Sequence, residues 1–100
     1  MERRVRRSAE PRKALKLLLE AARERLALHA VAVSTRSGWL VAGSGEGAIL
    51  LAALGARTAV GEHGSVSIAK LDEGHLLTAL GAGAKPLDDL TAGVRRILAC

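Results

Sequence analysis

Apolar positions along this chain change their period several times, and each change marks an element. Leu15, Leu18, Leu19, Ala22 and Leu26 recur at helical spacing, while Lys13, Lys16, Glu20 and Glu24 fill the opposite side, with Lys16 and Glu20 one turn apart. This is an amphipathic first helix. Ser8 is its expected N-cap, with Glu10 and Pro11 in the first turn, where a carboxylate suits the dipole and a missing N–H costs nothing. At His29 the period shortens. Ala30, Val31, Ala32 and Val33 make a continuous apolar run of the kind a strand buried on both faces requires. Arg36, Ser37 and Gly38 form a turn, Gly38 supplying positive φ, and Trp39, Leu40, Val41 and Ala42 run back as the second strand of a hairpin.

A glycine-rich connection follows, Gly43, Ser44, Gly45, Glu46 and Gly47, with Ser44 as the expected cap of a second helix over residues 48–54 that ends at Gly55. Thr58, Ala59 and Val60 suggest a very short strand, with Gly61, Glu62, His63 and Gly64 turning the chain. Ser65, Val66, Ser67 and Ile68 alternate polar and apolar as a half-buried strand does. Asp72, Glu73 and Gly74 make a hairpin loop with Gly74 at the left-handed position, and residues 75–82 return. Pro86 opens the last helix, Asp88 and Asp89 complement its positive end, and Arg95 and Arg96 its negative end. Leu87, Leu90, Val94 and Ile97 share one face of it. The order predicts an α+β fold: an antiparallel sheet of four to five strands flanked by three helices, as α-β-β-α-(β)-β-β-α.

The second helix organises the rest. Ala48, Ile49, Leu50, Leu51, Ala52, Ala53 and Leu54 leave it no polar face, and one sheet covers only one side of a helix. A second surface is needed. A two-fold copy of the chain, or a paralogous chain, is the simplest supplier, so Ile49, Leu50, Leu51, Ala52, Ala53 and Leu54 are the candidate dimer or partner interface. Helical spacing separates Ile49, Ala52 and Ala53 from Leu50, Leu51 and Leu54 only loosely, and leaves open which set faces outward.

One hundred residues, 49% of them hydrophobic, suit one domain, expected over residues 9–100. Of the net charge of +5, Arg3, Arg4, Arg6 and Arg7, less Glu2, supply +3, so the basic character belongs mostly to residues 1–8, read as a flexible arm. Binding of nucleic acid or an anionic surface through that arm is the alternative function. The absence of Phe and Tyr, with Trp39 the single aromatic, argues against a base-stacking platform. Glu10, Arg12, Lys13, Lys16 and Glu20 interrupt any signal-peptide segment, and no apolar run approaches the ~18 residues of a membrane span. With Cys100 as its one cysteine, the chain is expected in the cytoplasm.

Residues 31–44 carry a resemblance. An apolar strand, a polar turn closing on Gly38, then Trp39, Leu40, Val41, Ala42, Gly43 and Ser44 look like the return strand of the roadblock family of dynein light chains and their bacterial gliding-regulator relatives. An Ala/Leu-rich second helix and a hairpin around Gly74 follow in the same places, and the resemblance covers roughly residues 10–98. It implies a roadblock/profilin-like sandwich, a homodimer in which second helices pair and sheets join edge to edge, and a role in binding and regulating a small Ras-like GTPase.

Chemistry adds little. His29, His63 and His75 lack a His or Cys partner at metal-ligand spacing, and neither Asp72 with Glu73 nor Asp88 with Asp89 is a converging acid/base pair. Ser65 and Ser67 near His63 have no third member, and the segment from Gly43 to Gly47 is followed by no Lys while placing Glu46 where a phosphate would sit. No cofactor, metal or catalytic residue is expected, and the reading is a non-enzymatic scaffold. Because the apolar stripe begins after Pro11, deleting residues 1–7 is expected to leave the melting midpoint and the sedimentation coefficient unchanged; unfolding on truncation would make the arm part of the core.

Overall fold

The computed structural model describes residues 2–81 and 87–99, with side chains from residue 12 onward apart from residue 88. The elements are α1 (Glu2–Arg25), β1 (Leu28–Thr35), β2 (Leu40–Ser44), α2 (Ala48–Arg57), β3 (Gly61–His63), β4 (Val66–Asp72), β5 (His75–Gly81) and α3 (Asp88–Leu98). The five strands form one sheet in the order β2-β1-β5-β4-β3, every neighbouring pair antiparallel. The expected α+β order holds, with five strands.

Alternation along β1 divides the molecule into layers. Val31 and Val33 point to one face, where they join Leu15, Leu19 and Ala22 of α1, Leu77 and Ala79 of β5, and Leu90 and Val94 of α3. Ala30 and Ala32 point to the other face and meet Ala48, Leu51 and Ala52 of α2. Both faces of β1 are therefore covered, as its unbroken apolar run requires. The helical stripe of α1 is the inner one, with Leu18 and Leu26 half-buried at its margin.

Several local expectations are corrected. Ser8 does not cap α1, which already runs from Glu2; the Glu and Arg residues before Ser8 are good helix formers and contain no stop signal. Ala27, two residues past the helix, takes the left-handed conformation (φ 54°) usually left to glycine, and its N–H reaches the Glu24 carbonyl. Gly47 (φ 79°), rather than Ser44, holds the N-cap of α2. Ser44 ends β2, where its hydroxyl accepts a 2.8 Å hydrogen bond from Arg23 Nε. Residues 58–60 are not a strand, because Thr58 closes the helix: its hydroxyl donates to the Leu54 carbonyl at 2.8 Å. The expected turn residues Gly61, Glu62 and His63 instead pair with Ile68, Ser67 and Val66. Gly74 is not left-handed, because Asp72 Oδ1 accepts its N–H at 2.8 Å and forms the corner with a side chain. Ala82 and Pro86, expected to end β5 and open α3, lie outside the described residues. Leu87 is the N-cap of α3. Arg95 also does more than offset the helix dipole: its Nε and Nη2 donate to the carbonyls of Leu71 and Lys70, tying α3 to β4.

Gly38 behaves as expected. At φ 98° it turns the β1–β2 connection and lies against Ala53 and Ala56 of α2.

Gly55 matters more than a helix end would. It lies inside α2, and a methyl group there would collide with the Thr78 hydroxyl on β5. Gly55→Ala is expected to lower unfolding stability by about 1–3 kcal/mol, overpacking outweighing the helix-propensity gain of about 1 kcal/mol. Adding Thr78→Ala should recover at least half of the loss in urea unfolding. A Gly55→Ala variant more stable than wild type would contradict this packing.

Candidate interaction surface

The close seat of α2 on the sheet decides which of its residues remain outside. Ala48, Leu51, Ala52 and Gly55 are buried beneath it, with Leu51 5% and Ala52 0% exposed. Ile49, Leu50 and Leu54 are 71%, 76% and 45% exposed, and Ala53 is exposed between them. Of the six predicted interface residues, four thus form the outer ridge and two are core. Neither set separated by spacing alone was the outward one; each contributes two members.

The ridge does not stand alone. Gly38 rests against Ala53 and Ala56, so the turn delivers Trp39, 75% exposed, to the flank of α2. Leu40 is exposed next to it on the edge strand β2, and Val60 is exposed after the C-terminal end of α2. Sequence reasoning treated Trp39 and Leu40 as strand residues and Val60 as part of a strand. The signal available for Trp39 was its place at the corner of a hairpin, where one side of the chain often stays uncovered.

Away from this surface the polar groups are dispersed. His75 Nδ1 lies 2.9 Å from Asp72 Oδ1 at the β4–β5 corner. The His75 side chain first, and the Gly74 N–H second, hold the Asp72 carboxyl below the usual carboxylate range. His63 Nε2 contacts the Ala59 carbonyl at 2.7 Å, and His29 is exposed on β1. Among the described residues no three His, Cys, Asp or Glu side chains gather as they would around a metal ion, and no described helix is long and apolar enough to cross a membrane. Cys100 lies outside the described residues. Two buried hydroxyls, Ser34 Oγ and Thr78 Oγ1, have no hydrogen-bond partner among the described residues.

One helix lies on one face of the β2-β1-β5-β4-β3 sheet and a helix pair on the other, and solved structures superpose on this fold as a whole. MglB of Myxococcus xanthus superposes with a TM-score of 0.70 over 88% of this chain and 90% of its own, at 9% identity. A Roadblock/LC7 domain from Streptomyces avermitillis superposes with a TM-score of 0.56 over 85% of this chain and 95% of its own, at 20% identity. The chain has the roadblock fold. No sequence-family model matches it, and no curated protein matches it. At these identities the likeness is one of fold.

The division of α2 into inner and outer residues separates two substitutions. Ala52→Glu places a carboxylate in the dry layer against Ala30 and Ala32, and is expected to unfold the domain or cost several kcal/mol. Leu50→Glu, on the exposed ridge, should leave far-UV circular dichroism and the melting midpoint of an isolated protomer nearly unchanged. Equal damage from both would place Leu50 in the core.

Proposed function

We propose that this roadblock-fold chain is a non-catalytic scaffold that pairs through the outer ridge of α2, and that the pair binds and regulates a small Ras-like GTPase. The observation that carries the reading is the uncovered apolar ridge. Ile49, Leu50 and Leu54 are large, adjacent and exposed, an arrangement that marks an interaction surface on a domain this small. Each gains about 1.5–3 kcal/mol on full burial. Six such side chains across a two-fold pair meet an association cost of roughly 4–15 kcal/mol, which makes a modest dimer.

The GTPase part rests on the roadblock resemblance together with the shared fold. Regulation of this kind asks for no reacting group. A platform that binds one nucleotide state of the GTPase more tightly than the other shifts the balance between them by that difference in affinity. The dispersed polar groups described above suit such a role.

The test uses a small Ras-like GTPase of the same organism, loaded either with GDP or with a non-hydrolysable GTP analogue. Binding measured by calorimetry is expected to differ between the two states by about tenfold or more, corresponding to ~1.4 kcal/mol, and to be weakened by Leu50→Glu. Equal affinity for both states, or no binding to either, would remove the GTPase assignment and leave the pairing surface to be judged by sedimentation.

A further inference from the structure

The first helix is longer than its packing on the sheet requires. α1 runs for 24 residues, about 36 Å at the usual helical rise, whereas the two shorter dimensions of the protein are 27 and 23 Å. Its hold on the core is made by Leu15, Leu19 and Ala22. Continued toward the start of the helix in steps of four, three and four, that line meets Pro11, Ser8 and Arg4, so the apolar stripe ends at Leu15. Charge is just as unevenly divided. α1 carries nine Arg and Lys against four Glu, which is the whole net charge of +5, while the rest of the chain holds six basic and six acidic residues. Arg12, Lys13 and Lys16 are exposed and enter no ion pair among the described residues.

We infer that the N-terminal half of α1 docks on the phosphate backbone of double-stranded DNA, lying in the major groove without reading its sequence. In the helical register Arg3 and Arg7 share one line a turn apart, and Arg4 and Arg6 fall to either side of that line. Such a register serves both walls of a groove. The major groove of B-form DNA is about 12 Å wide and admits a helix, whereas that of an RNA duplex is too deep and narrow to do so. All four basic residues before Arg12 are arginine, whose planar fork matches phosphate oxygens in pairs. Base recognition is poorly provided for. The chain contains no Asn and no Gln, the residues that pair with adenine edges, and no aromatic platform for single strands. An anionic membrane is the competing polyanion. Residues 2–10 offer it only Val5 and Ala9 as apolar positions, too few for the buried face by which a surface helix enters a bilayer. The inference is independent of the pairing through α2 and of the GTPase reading.

Fluorescence anisotropy of a labelled duplex of about 20 base pairs, titrated with the full chain, tests the inference. Binding is expected in the micromolar range at about 50 mM salt and about a hundredfold weaker at about 200 mM, the slope of roughly four neutralised phosphates. Two unrelated DNA sequences should agree within about threefold, because phosphate contacts carry no sequence information. The variant Arg3→Gln/Arg4→Gln/Arg6→Gln/Arg7→Gln keeps good helix formers at all four positions. It should bind at least about thirtyfold more weakly at low salt and flatten the salt dependence, with far-UV circular dichroism and melting midpoint as in wild type. The variant with Lys at the same four positions keeps the charge and should keep the salt slope, which a merely structural role for the arginines does not predict. No binding at low salt, or a slope unchanged by the Gln variant, overturns the inference. Tighter binding to phosphatidylserine–phosphatidylcholine vesicles than to DNA overturns it in favour of a membrane, and tighter binding to an RNA duplex of the same sequence removes the groove. Leu50→Glu alters none of these residues, so the tests of pairing and of GTPase binding are read separately from this one.

Discussion

Everything outward-facing in this molecule depends on how closely α2 lies on the sheet. The contact is made mostly by small groups, Ala48, Ala52 and Gly55 from the helix and Ala30 and Ala32 from β1, with Leu51 the one large side chain among them. Thr78 of β5 presses its side chain against Gly55, where any larger residue would collide with it. Such contact brings backbone near backbone but buries little side-chain area. On the opposite face, Leu15, Leu19, Leu77 and Leu90 interlock as long side chains. The sheet is thus held firmly from one side and thinly from the other, since apolar stabilisation follows the area removed from water.

That thinness has a consequence for α2. Its inner face contributes one large side chain, Leu51, while three large side chains remain outside. A helix of ten residues is too short to be stable alone and relies on tertiary packing. A partner of the kind proposed for the outer ridge would add to the hold on α2 as well as join two chains. The buried, unpartnered hydroxyls of Ser34 and Thr78 lie in this same half of the protein, on strands β1 and β5, and add a cost of roughly 1–3 kcal/mol apiece that small apolar residues would avoid. Stability in the protomer is concentrated in the layer of α1 and α3. The layer of α2 supplies the surface.

Element order was largely legible because it rests on period and punctuation. The run from Ala30 to Val33 reads as a doubly covered strand because no polar residue interrupts it, and α3 reads from Leu87, Leu90, Val94 and Ile97 with charges arranged along its dipole. Glycines were less legible. The same residue type turns the chain at Gly38, caps a helix at Gly47, and sits mid-helix at Gly55 to admit Thr78. Sequence carries no mark that distinguishes a glycine kept for its φ from one kept for its missing methyl. Gly74 shows the reverse error, since a neighbouring carboxylate can make a turn that glycine would otherwise make.

The candidate surface was half legible for a related reason. An all-apolar helix announces that two surfaces must cover it, but hydrophobicity alone cannot orient it. Packing orients it: Gly55 lies on the inner line where a methyl group would meet Thr78, and Ala52 and Leu51 are buried with Ala30 and Ala32, while Ile49, Leu50 and Leu54 lie outside. The same sorting places Gly38 against Ala53 and Ala56, so Trp39 ends beside the ridge rather than beneath it. The packing that brings α2 close to its own sheet is also what leaves Ile49, Leu50 and Leu54 exposed.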